Sequence, residues 1–230
     1  MKRLISLIVC YLLVTNSLYV LAESYVPSPT LNDKIPFENP YLALVNKENK
    51  LPDNWLDQIK LVSTQNSLGT IFIVEEITLQ HFEALRSYLL ENEGIQIELD
   101  STYRSIEEQQ EIWDRWSADP ELGPDYCEKY LAKVGYSEHH TGLAIDILIV
   151  KPDGYVENDN EEMLADTETF AKIHQHLAQF GFILRYPEGK EDITGYNYEP
   201  WHFRFVGEDV AKTIIENHLT LEEYLAQTAK

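Results

Sequence analysis

Apolar residues recur along this chain with two periods, and the points where the period changes mark its elements. Leu79, Phe82, Leu85 and Leu89 share one stripe of a helix, with Thr78 as the expected N-cap and Gly94 near its end. Ile95-Gln96-Ile97-Glu98-Leu99 then alternates, which predicts a half-buried strand. Its end passes Ser101, Tyr103 and Arg104 into a loop, and Ser105 with Glu108 makes a capping box for a helix through Gln109, Ile112 and Trp116. Asp125 to Val134 reads as helical, and Leu143 to Val150 is apolar and β-branched enough for a buried strand. A second helical stripe, Phe170, Ile173, Leu177 and Phe180, closes at Gly181. Phe182 to Tyr186 and His202 to Val206 read as strands, and Ala211 to His218 and Leu221 to Ala226 as short covering helices. Tyr41 to Lys47 predicts a short strand, and the acidic run Glu157 to Asp166 a solvated loop. This order of helices and short strands predicts an α+β domain with an antiparallel sheet flanked by helices.

The first residues obey a different logic. Lys2 and Arg3 precede the apolar run Leu4 to Val14, and Val20-Leu21-Ala22 supplies small residues for a signal peptidase. Residues 1–22 are therefore expected to be a signal peptide cleaved after Ala22, which predicts an exported protein in the periplasm or at the outer face of the envelope. Thr15, Asn16 and Ser17 interrupt the run short of the ~20 residues a spanning helix needs. Residues 23–68, rich in Pro and Asn, are expected to form a linker and N-terminal extension, with the main domain at 69–230.

Charge and cysteine usage narrow the function. A net charge of -21 argues against nucleic acid as partner, because phosphate binding needs clustered Lys and Arg rather than an excess of carboxylates. Cys10 would leave with the signal, and Cys127, then the only thiol, is expected to be a packed side chain with no disulfide.

Candidate chemistry begins at Ser137-Glu138-His139-His140-Thr141-Gly142-Leu143-Ala144-Ile145-Asp146, where histidine and carboxylate bracket a turn into an apolar strand. Zinc favours a few nitrogen, oxygen or sulfur ligands and keeps one position open when catalytic. Downstream, Glu199-Pro200-Trp201-His202 offers a third ligand and a spare carboxylate. The residues alone leave His139 and His140 as competitors for the first position. His174 and His176 are two apart on a helix and point in different directions, so they are not expected to share an ion. Arg104 carries a guanidinium suited to bidentate capture of a free C-terminal carboxylate or a polarised carbonyl.

Taken in order, these segments resemble the zinc D-alanyl-D-alanine carboxypeptidases of the VanY type, relatives of the D-Ala-D-Ala dipeptidases and LD-carboxypeptidases. The resemblance runs from Tyr41 to Gly207 and includes Ser101-Thr102-Tyr103-Arg104-Ser105 with Gln109, and Arg185-Tyr186-Pro187 leading through Gly195-Tyr196 to Glu199 and His202. It implies a hedgehog/DD-peptidase-like fold and one zinc ion held by His139, Asp146 and His202, and it gives His140 no metal role. It also implies Glu199 as the catalytic base, Arg104 as catalytic and substrate-binding, and Gln109, Ser137 and Tyr196 as further substrate contacts. The substrates it implies are peptidoglycan stem peptides, with removal of the C-terminal D-Ala, and no protein partner. Two rival readings remain at this point: an LD-carboxypeptidase acting on tetrapeptide stems, and a non-catalytic zinc module that binds the cell wall. Glu199 argues against the last, because structural zinc sites are closed by four protein ligands and need no free base.

Overall fold

The computed structural model describes residues 39–228. The expected signal peptide, Cys10 and the start of the extension lie outside the described residues.

The chain enters at Asn39, whose side-chain oxygen caps a 3-10 turn at Pro40–Leu42, so the strand expected at 41–47 is instead a turn followed by irregular chain. Pro40 sits in the first turn, where its missing N–H costs nothing. A second 3-10 turn, Trp55–Asp57, buries the Trp55 indole, which donates to the Thr141 carbonyl (3.0 Å). Strands β1 (Leu61–Gln65) and β2 (Ile71–Glu75) form an antiparallel hairpin. The boundary expected at residue 69 falls inside its turn, so the described part of residues 23–68 packs with the chain downstream as one folded unit.

Helix α1 (Glu76–Glu93) is capped by the Glu75 carboxylate, which accepts from the Thr78 amide and hydroxyl, rather than by Thr78 itself. Strand β3 (Gln96–Ser101) leads to α2 (Ile106–Ser117), where Ser105 and Glu108 form the expected capping box. Next come α3 (Gly123–Tyr130), the 3-10 turn Glu138–Thr141 and strand β4 (Ala144–Val150). The acidic run is not a plain loop: it contains the short strand β5 (Val156–Glu157) and the helix α4 (Asn160–Ala165), which buries Met163. After α5 (Thr167–His176) come β6 (Phe182–Leu184), the single turn α6 (Glu191–Thr194), β7 (His202–Phe205), α7 (Glu208–Glu216) and α8 (Leu221–Thr228).

The five-stranded sheet has the order β3-β4-β7-β6, with β5 pairing the far end of β4, and every pair is antiparallel. Alternation along β4 and β7 sorts its two faces. Ile145, Ile147, Ile149, Phe203 and Phe205 point into the main core, against Phe82, Leu85, Leu89, Phe170 and Ile173 of α1 and α5. Asp146, His202 and Arg204 therefore share the opposite face. Smaller apolar packing around Ile183, Val210, Ile214 and Leu221 seats α7 and α8. The result is the expected α+β architecture, with helices flanking an antiparallel sheet.

Candidate metal centre and substrate cleft

Register builds the centre. Asp146 lies directly opposite His202 in the β4–β7 ladder and opposite Ser101 across the β3 edge. Between Leu99 and Ser101 the β3–β4 register slips by one residue, which turns Ser101 toward the centre and leaves Asp100 as the extra residue. His139 comes from the 3-10 turn before β4. That turn is capped by the Ser137 hydroxyl, which accepts from the His139 amide (3.3 Å), and is ended by Gly142 in the left-handed region (φ 71°). A side chain at Gly142 would be strained at that φ and would bring its Cβ within 2.9 Å of Leu61, so the exit from the turn needs glycine.

One nitrogen or oxygen from each of His139, Asp146 and His202 lies within 4.8 Å of the others. His139 Nε2 is 3.1 Å from Asp146 Oδ2, and His202 Nδ1 is 2.9 Å from Asp146 Oδ1. Ligands on a tetrahedral zinc are about 3.3 Å apart at ordinary bond lengths, so small side-chain rotations suffice to seat the ion. Partners behind the rings agree: His139 Nδ1 faces the Thr102 carbonyl at 2.7 Å, which puts its proton there and leaves Nε2 bare toward the centre. The donor set, two imidazoles and one carboxylate, fits zinc. His140 turns away, its Nδ1 on the Arg104 carbonyl (2.7 Å) and its Nε2 accepting from the Gly135 amide (3.2 Å). His174 and His176 are not part of the trio and bond instead to the Pro200 carbonyl and to Glu93.

Electrostatics mark the same atoms. Burial alone would raise the Asp146 carboxyl, but the His139 and His202 imidazoles hold it well below the usual carboxylate range. For His202, burial opposes protonation, yet Asp146 and Glu138 outweigh it and push the ring up to about 10. His139 moves the other way, lowered chiefly by burial. Glu199 stands 3.8 Å from His202 Nδ1, and burial pushes its carboxyl up to about 7 against the pull of His202.

These groups open onto a cleft of about 330 Å³ lined by Ser101, Arg104, Ser137, Tyr186, Tyr196 and Trp201 among others. Arg104 is aimed by two hydrogen bonds, Nη1 to Gln109 Oε1 and Nη2 to Ser101 Oγ, each 2.9 Å. Gln109, expected to touch substrate, is buried behind Arg104 with its amide donating to the Ala132 carbonyl (2.6 Å), and it is not among the lining residues. Ser137 and Tyr196 do line the cleft, and the Tyr196 hydroxyl is buried without a partner.

Sequence reading gave no role to Glu138, Arg204 or Glu222. Glu138 Oε1 accepts from Arg185 Nε and Arg204 Nη1, both at 2.7 Å, and Arg185 continues to Glu222 (2.6 and 2.9 Å). One signal was available: Arg204 sits two residues after His202 in a buried strand, hence on the same face, and a buried arginine demands a carboxylate.

An antiparallel sheet that presents a His–Asp–His trio, a free glutamate and an arginine in one cleft defines a zinc peptidase of the hedgehog-like fold. Residues 73–208 match the VanY family, D-alanyl-D-alanine carboxypeptidase. The chain is 35% identical over 196 residues to the bifunctional D-Ala-D-Ala dipeptidase and D-Ala-D-Ala carboxypeptidase VanXYC of Enterococcus gallinarum, covering 82% of this chain and 97% of that one. A solved variant of the vancomycin resistance D,D-pentapeptidase VanY from a VanB-type cassette, in complex with Zn(II), superposes with a TM-score of 0.65 at 31% identity, covering 81% and 99%. The LD-carboxypeptidase LdcB gives a TM-score of 0.69 at 33% identity, covering 84% and 92%. This chain belongs to the VanY family.

Proposed function

We propose that this protein is a zinc-dependent D-alanyl-D-alanine carboxypeptidase that removes the C-terminal D-Ala from peptidoglycan stem peptides. The observation that carries the reading is Glu199, a half-buried carboxylate beside the His139–Asp146–His202 trio yet outside it. Zinc, when bound by those three, supplies a Lewis acid that acidifies water and polarises a carbonyl. Glu199 takes the proton of the attacking water and returns it to the leaving amine, from a position 3.8 Å off His202 Nδ1. Arg104, held by Gln109 and Ser101, offers its guanidinium to the substrate's carbonyl oxygen or terminal carboxylate. Ser137 and Tyr196 supply polar contacts along the cleft wall, and the partnerless Tyr196 hydroxyl is free to donate to a substrate oxygen. The catalytic domain is residues 69–230, and the described part of the extension before it packs onto it through Trp55 and the Tyr41 and Ala43 carbonyls. Export, led by a signal peptide over residues 1–22, delivers it to the wall; among the described residues no helix is long and apolar enough to cross a membrane.

A second reading has specific support. The LdcB likeness makes an LD-carboxypeptidase, acting on tetrapeptide stems, the rival. Incubating the zinc enzyme with purified stem pentapeptide and tetrapeptide and weighing the products separates the two: loss of D-Ala from the pentapeptide alone supports the first, and from the tetrapeptide alone the second. Zinc-loaded, folded protein that trims neither would leave a binding module.

A further inference from the structure

We propose that Glu138 is the positioning residue for His202: it fixes which imidazole nitrogen meets the metal. The inference rests on reading His202 as a ligand. His202 Nδ1 faces the centre, toward Asp146 Oδ1 at 2.9 Å and Glu199 Oε2 at 3.8 Å. Coordination through Nδ1 requires its lone pair, so the ring proton must sit on Nε2. Nε2 is buried and has no hydrogen-bond partner closer than Glu138, whose Oε2, equally buried and equally without another partner, faces it at 3.5 Å. A buried donor and a buried acceptor, each orphaned save for the other, define one contact that closes when the ring settles onto the ion.

His139 solves the same problem in the opposite sense, with Nδ1 toward the Thr102 carbonyl and Nε2 toward the centre. The two histidines thus approach through different nitrogens, and each needs its own acceptor behind it. A backbone carbonyl serves His139, whereas His202 receives a full carboxylate, a stronger acceptor that holds the ring more firmly.

The carboxylate is itself immobilised. Glu138, Arg185 and Arg204 have fully buried side chains, and both arginines bond Glu138 Oε1, leaving Oε2 for His202. Arg185 is also paired with Glu222, and Arg204 donates to the Tyr41 and Ala43 carbonyls (3.0 and 2.7 Å). Two carboxylates thus balance two guanidiniums, so the cluster adds no net charge to the centre while presenting one oxygen to it.

The test is Glu138→Gln beside Glu222→Gln, in the full zinc-loaded protein. An amide offers one oxygen where the carboxylate offers two: turned to the arginines, it points an N–H at His202. Competition with a chromophoric chelator should show zinc affinity weakened by about 10- to 100-fold in Glu138→Gln and unchanged in Glu222→Gln, which loosens Arg185 without touching His202. The cobalt-substituted protein should show an altered visible spectrum in the first variant only. Equal zinc affinity and an unaltered cobalt spectrum in folded Glu138→Gln would overturn the proposal, as would equal weakening in both variants. If Glu138→Gln does not fold, nitrogen-15 NMR of histidine-labelled wild type decides: a slowly exchanging proton on His202 Nε2 in the zinc form is expected, and a proton on Nδ1 refutes the assignment. His202→Ala is the control for the underlying reading. If it keeps full zinc, His202 is no ligand, a failure distinct from that of Glu138.

Discussion

Two neighbouring cross-strand pairs of one ladder have opposite fates. Ile145 faces Phe203, and one step along, Asp146 faces His202. All of these but Asp146 are almost fully buried, and Asp146 is only slightly less so. The first pair joins an apolar core whose members are interchangeable within limits of volume; the second lies among charges whose burial is offset only by specific partners. A one-residue slip of register would exchange the two faces, so the core fixes the metal site's geometry as surely as it fixes stability.

The charged face should fail most sharply at Glu199. Glu199→Ala should keep zinc and fold while D-Ala release falls by ~10²- to 10⁴-fold, whereas His202→Ala should lose metal as well, read as zinc content beside turnover. A metal-free Glu199→Ala would make the glutamate a ligand. On the other face, Phe203→Ala should cost about 3–5 kcal/mol in urea unfolding yet leave one zinc per folded molecule at low temperature. Loss of zinc affinity in step with stability would show that the faces are not separable. A third test concerns protons. With His202 pushed up to about 10, its imidazolium must lose a proton for zinc to bind, so apparent affinity should rise roughly tenfold per pH unit between about 6 and 8. Calorimetry in buffers of different ionisation enthalpy should count about one proton released, and none would contradict the sign. The smallest effect is expected at Gln109→Ala, which removes a 2.9 Å bond aiming Arg104 and should raise KM by about 5- to 10-fold with little loss of kcat.

How far the sequence could be read depends on the same two faces. Periodicity placed α1, β3, β4 and β7, because each has one apolar stripe against the core, and the Ser105–Glu108 capping box placed α2. It misplaced what tertiary contacts decide: Tyr41 to Lys47 gave up a strand to a proline-led turn whose carbonyls Arg204 claims. It also gave the run Glu157 to Asp166 to solvent, although Met163 anchors a helical turn there and Lys151 ties Glu157 to Asp166, each at 2.6 Å. The motifs that converge on the cleft were legible because their spacing is local. The backing for His202 was not, since Glu138, Arg185, Arg204 and Glu222 are scattered through the chain and alternation alone assigns a charged residue to solvent.

Arg204 bonds carbonyls that lie 163 and 161 residues earlier in the chain. A ribosome adding about 5–20 residues per second makes the Tyr41 segment roughly 8–30 s before its partner emerges. Only in the last third of that interval does the nascent polypeptide hold His139 and Asp146, still without His202, and α8 with Glu222 comes later still. Contacts of such long sequence separation also close slowly once both ends exist. With His139, Asp146 and His202 as the proposed ligands, hydrolytic competence arrives as a late event in biogenesis, and chains truncated before β7 are expected to be inert.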